Sequence, residues 1–118
     1  MSLLVLALLA GAAPECKRAV TQPDLNACAA AAYSTADAAL NRQWALTLRT
    51  VRKDDELGER VARLRAAQRA WVAFRDAHCD SAYFSGIGAS LDYTMNIRCR
   101  TEATEKRTRQ LAELAREY

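Results

Sequence analysis

Apolar residues recur at steps of three and four along most of the chain, and nowhere alternate as they would in a half-buried strand. Leu25, Ala29, Ala32, Ala36, Leu40 and Trp44 form one stripe, which Leu48 and Val51 continue. Val61, Leu64, Ala67 or Gln68, Trp71 and Phe74 form a second stripe that reaches Cys79, and Met95, Cys99, Thr104, Arg107, Leu111 and Leu114 approximate a third, running out to Tyr118. Three stripes separated by two short breaks predict an all-α fold, a three-helix antiparallel bundle. Leu40, Trp44, Leu64, Trp71, Phe74 and Leu111 are its expected core. The alanines of the first stripe would let a neighbouring helix approach closely, with Trp44 filling a wider layer beyond them.

The boundaries carry their own signals. Thr21 or Gln22 suits a cap, with Pro23 at an early helical position and Asp24 in the first turn. Arg49 to Lys53 places basic charge at the end of the first helix. Asp54-Asp55-Glu56 places acidic charge at the start of the second, with Asp54 or Asp55 as its cap. Gly86-Ile87-Gly88-Ala89-Ser90 is too glycine-rich for a helix interior and reads as the second break. It has neither the lysine nor the preceding strand of a phosphate-binding loop. Glu102 and Lys106 have the spacing and orientation of a favourable helical ion pair.

The stretch Gln68-Arg-Ala-Trp71-Val-Ala-Phe74-Arg75-Asp76-Ala-His78-Cys79 changes the picture, because one stripe mixes aromatics with an amide and a guanidinium. Buried polar groups need partners. Asn26, Asp37, Asn41, Gln68, Arg75, Asp76, Thr104 and Arg107 are therefore expected to form a polar network that fixes helix register, with Arg75 or Arg107 reaching a carboxylate such as Asp37. Part of that network could instead face a groove and hold a ligand.

Leu3 to Leu9 followed by Ala10-Gly11-Ala12 reads as a signal peptide over residues 1–12, cleaved after Ala12 to leave one domain over 13–118. The run is too short to span a bilayer, and Pro14-Glu15-Cys16 is no lipoprotein box, so no stable membrane insertion is expected. An even set of cysteines behind an export signal reads as two disulfides in an oxidising compartment, periplasmic or secreted. Three pairings of Cys16, Cys28, Cys79 and Cys99 are possible, and the two local ones, 16–28 and 79–99, are the simplest geometry. A zinc site using His78 is the rival reading, but none of the short paired cysteine spacings of zinc sites is present. Hence no metal and no cofactor is expected.

Net charge is +3, with basic residues spread from Lys17 to Arg116 among acids rather than gathered in a dense stripe, which argues against nucleic acid as a partner. His78 is the single histidine and has no evident nucleophile to serve, and Asp37, Asp76 and Asp92 lie near arginines on separate elements, so no catalytic residues are assigned. Recognition fits the second break better. Tyr83, Phe84, Ile87 and Tyr93 are large residues beside glycines in a loop that a disulfide would brace, and such loops carry binding.

Asn26-x-Cys28, Asp37-Ala-Ala-Leu40-Asn41-x-x-Trp44, Gln68-x-x-Trp71-x-x-x-Arg75-Asp76-x-x-Cys79, a glycine loop, and then Cys99, Thr104, Arg107 and Leu111 together resemble the LprI-type lysozyme inhibitors, small exported bacterial proteins also called YecT-like. The likeness runs from about Cys16 to Leu114. Two positions depart from the family pattern: Trp44 stands where tyrosine is usual, and Gly86-Ile87-Gly88 replaces the more usual Gly-Gly or Gly-Ser. The resemblance implies a helical, disulfide-bonded, non-catalytic envelope protein, with c-type lysozyme as the partner for some members. Against a strongly basic lysozyme, a chain of charge +3 gains no long-range attraction, so the contact would be local. Alternative roles are a structural or stress-related envelope protein that binds another bacterial protein, or a protein that binds or cleaves peptidoglycan. A compact apolar patch at the Tyr83–Leu91 end would favour a protein partner, and a groove with unpaired carboxylates would favour peptidoglycan. Residual apolar faces on helices one and three leave a homodimer open.

Overall fold

A computed structural model describes residues 16–84 and 90–118; the expected signal peptide and Ile87 lie outside them. A one-turn 3-10 helix, Cys16–Arg18, precedes α1 (Gln22–Arg52), α2 (Glu59–Ala82) and α3 (Ser90–Arg116). At about 1.5 Å rise per residue, α1 is roughly 46 Å long. It starts where its local chemistry dictates. Thr21 is the cap, its hydroxyl accepts from the Asp24 N–H at 3.3 Å, and Pro23 lies in the first turn.

The second helix is capped differently from expectation. Gly58 occupies the cap position at φ 70°, a left-handed conformation that glycine adopts freely. It has no side chain to offer, so Asp55 reaches forward instead, its carboxylate accepting from the Arg60 and Val61 N–H groups at 3.0 Å each. Those bonds, Val61 first, hold the Asp55 carboxyl below its ordinary range.

The helices run up, down and up, so α1 and α3 are parallel. Gln22 Nε2 donates to Thr94 Oγ1 at 2.7 Å near both helix starts, and Thr47 Oγ1 donates to the Leu111 carbonyl at 2.8 Å near both ends. This pair has the most extensive contact in the bundle. Its α3 side is a heptad seam at 94, 97, 101, 104, 108 and 111, of which Thr94, Thr101, Thr104 and Leu111 are buried. Ala29, Ala36, Leu40, Thr47 and Val51 face it from α1. Alanine against threonine lets the backbones come close. The threonine hydroxyls stay satisfied inside the seam: Thr101 and Thr108 donate back to the Ile97 and Thr104 carbonyls at 3.0 Å, and Thr94 bonds Asn26.

The apolar core lies toward one end, where Leu40, Val51, Leu64 and Leu111 pack with half-buried Trp44, Leu48, Val61, Trp71 and Leu114. Phe74 is not part of it. Trp71, Arg75 and Cys79 point α2 toward its neighbours, and this leaves Phe74 on the flank, 65% exposed and stacked on His78 at 5.4 Å. The other end is held covalently. Cys16–Cys28 and Cys79–Cys99 both form, at Cα separations of 5.6 and 5.7 Å, which are the two local pairings.

Candidate functional site

The mixed stripe of α2 builds the interface that fixes where α2 ends and α3 begins. Arg75 is 7% exposed. Its Nε donates to Asp76 Oδ1 at 2.9 Å and its Nη1 to Thr104 Oγ1 at 3.3 Å, while its guanidinium lies 5.1 Å from the Trp71 ring and 5.7 Å from the Tyr33 ring. Arg107 covers Trp71 from another side at 5.9 Å and donates to Gln68 Oε1 at 2.9 Å. Trp71 thus meets two cations whose donors are engaged elsewhere. Burial pushes the Arg107 pKa below its ordinary value, yet an arginine in a protein stays charged.

Beyond Asp76 the interface continues as a ladder of charges. Arg100 donates to Asp76 Oδ1 and Asp80 Oδ1, each at 2.8 Å, and to Asn96 Oδ1 at 2.8 Å. Asn96 in turn donates to Asp80 at 2.9 Å. These bonds, that from Asn96 first and that from Arg100 next, hold the Asp80 carboxyl below its ordinary range. With Cys79–Cys99 beside it, the ladder clamps the last turns of α2 to the first turns of α3.

The structure joins Gln68 to Arg107, Arg75 to Asp76 and Thr104, and Asn26 to Gln22 and Thr94. It does not bring Asp37 to either arginine: Asp37 is half-buried on α1, and the nearer Asp76 takes Arg75 while an amide takes Arg107. Asn41 is exposed and joins none of these bonds. Arg100, Asn96 and Asp80 belong to the ladder without having been singled out in the sequence. Their i, i+4 spacing (Asn96 with Arg100, Asp76 with Asp80) is the signal that could have found them.

The clamp presents a surface. Phe84 is 80% exposed, Leu91 60% and Tyr93 51%, while Tyr83 ends α2 half-buried. Leu91 was not expected among them. Val20, also exposed, precedes α1 at the same end, which Gln22 and Thr94 tie together. Both disulfides brace this end, so its apolar side chains project from a rigid base. Among the described residues no group of three or more His, Cys, Asp or Glu is placed to hold a metal, and no helix is long and apolar enough to cross a membrane.

The chain is 39% identical over 109 residues to an uncharacterized protein of Rhizobium meliloti, covering 86% of this chain and 78% of that protein. No solved structure matches it. The family described as "Lysozyme inhibitor LprI" matches residues 14–111, a span that includes every cysteine and the whole clamp. The chain belongs to the LprI family of lysozyme inhibitors, non-catalytic binders that are typically secreted or periplasmic.

Proposed function

We propose that the protein inhibits lysozyme through its disulfide-braced end, with Phe84, Leu91 and Tyr93 as the contact and Tyr83 supporting them from the end of α2. One observation carries this reading: the exposed aromatic and aliphatic residues stand where both disulfides and the charge ladder immobilise the backbone, and the apolar core lies toward the opposite end. Rigid, exposed aromatic anchors bind at small entropic cost, and a few such residues supply most of an interface's free energy. The anchors are apolar, so they need no long-range attraction between two basic proteins. Residues 1–12 act as the export signal in this account, and N-terminal sequencing of the secreted protein should begin at Ala13.

The test is titration of oxidised protein against a c-type lysozyme, following lysis of cell walls. Changing Phe84, Leu91 and Tyr93 together to alanine should weaken inhibition by about 100-fold or more, the loss of at least two hot-spot contacts. Leu57→Ala, an equally exposed site in the turn between α1 and α2, should inhibit as the wild type does. Equal inhibition by wild type and triple variant, with helicity intact, would reject this contact face.

A further inference from the structure

A groove of about 370 Å³ runs between α2 and α3 on the flank of the bundle, outside the surface assigned to lysozyme. Its α2 wall is a row of rings, Trp71, Phe74 and His78, and its α3 wall is a row of polar side chains, Glu102, Lys106 and Gln110. The rows face each other at helical steps and extend for roughly 10 Å and 12 Å, about the length of two linked pyranose rings. Two features of the groove serve no purpose in the packing of the bundle. Phe74 is a phenylalanine left mostly in solvent, its ring fixed against His78 with the two planes within 19° of each other. Glu102 and Lys106, which the spacing would pair, form no ion pair among the described residues, so the carboxylate and the ammonium both keep their hydrogen-bonding capacity.

From this juxtaposition we infer that the groove binds a short oligosaccharide of N-acetylated amino sugars. Such a ligand is amphipathic in the same sense as the groove. Its C–H faces and acetyl methyls suit the Phe74–His78 platform, and its hydroxyl and acetamido groups suit an acceptor, a cationic donor and an amide on the other side. The ligand carries no charge, and the polar row offers one charge of each sign. A polyanion would meet Glu102 as well as Lys106, and an extended apolar peptide would leave both charges unsatisfied against it. Cell-wall glycan is built of such sugars, so the groove would hold the protein where lysozyme works.

The probe is the β-1,4-linked tetramer of N-acetylglucosamine, titrated calorimetrically into the full oxidised protein without lysozyme and followed in parallel by the protein's tryptophan fluorescence, to which Trp71 in the groove wall contributes. Saturable binding with a Kd of roughly 0.1–1 mM is expected, as for a small open site. Phe74→Ala should weaken it at least about tenfold by removing the platform. Because Phe74 is exposed this variant folds, and circular dichroism checks that it does. Glu102→Gln combined with Lys106→Ala should weaken binding similarly from the other wall. The inference does not rest on lysozyme inhibition, which Phe74→Ala should leave unchanged. No heat or fluorescence change up to about 10 mM tetramer overturns it. So does binding that neither variant weakens, or a preference for a cell-wall stem peptide over the sugar.

Discussion

Arg75→Met tests whether the clamp is a set of specific polar bonds or merely a filled space. Methionine keeps most of the stem that packs beside Trp71 and Tyr33 but removes the guanidinium. The structure assigns that group one ion-pair bond to Asp76, one longer bond, at 3.3 Å, to the buried Thr104 hydroxyl, and two cation–ring contacts. Taken separately, these are worth about 1.5–3, 1 and 0.5–1 kcal/mol each. Asp76 retains Arg100 at 2.8 Å and is partly open to water, so its carboxylate is not stranded; its bond to Arg75 is discounted to about 1 kcal/mol, and the total falls near 3 kcal/mol. Urea unfolding of oxidised protein should show a midpoint lowered by about 2–3 M at an unchanged m-value of about 1–1.5 kcal/mol per M. Arg75→Lys should recover only part of the loss, because a point charge on a flexible stem cannot span Asp76 and Thr104 while lying over Trp71. A loss below about 1 kcal/mol for Arg75→Met would refute the reasoning and make this position one of volume alone.

Replacing Cys79 and Cys99 by alanine together should lower stability by about 3 kcal/mol, as expected for closing a loop of 20 residues, and calorimetry of the intact and double-variant proteins measures it. Acid should destabilise the fold. Asp55 and Asp80 have depressed folded pKa values, so their contribution is fully present above the unfolded carboxylate range near pH 4 and is lost as pH falls through the folded values. Urea midpoints between pH 6 and pH 2 should fall accordingly, and Asp80→Asn should flatten that fall. Gly58→Ala should cost about 1 kcal/mol from backbone conformation alone, since no atom lies within 4 Å of the added methyl; thermal unfolding reads it directly.

Three helices, their approximate ends and the pairing of the cysteines were legible because each rests on local spacing. The parallel seam was not, because four of its six α3 positions are threonine: a search for apolar periodicity passes over Thr94 and Thr101, although their sevenfold spacing was visible. Phe74 was assigned to the core because it is large and lies one step from Trp71. A helix without a wide apolar face cannot bury both flanks of its stripe, and the disulfide at Cys79 fixes the side that turns inward. Asp37 failed as a partner for a different reason. Sequence shows which charges could pair, but only the register between α2 and α3 shows that Asp76 and Gln68 reach the arginines first. At the disulfide-braced end, Tyr83, Phe84 and Tyr93 stood out as large residues beside glycines, whereas Leu91 looked like an ordinary helix-start residue until its exposure was known.

The most direct test of the account is hydrogen exchange of the oxidised protein alone and in complex with a c-type lysozyme. Amides at the end of α2 around Tyr83 and in the first turns of α3 around Leu91 and Tyr93 should gain protection, while the Lys53–Gly58 turn at the far end exchanges unchanged. Protection confined to that turn, or to the outer faces of α1 and α2, would contradict the assignment of the disulfide-braced end as the inhibitory surface.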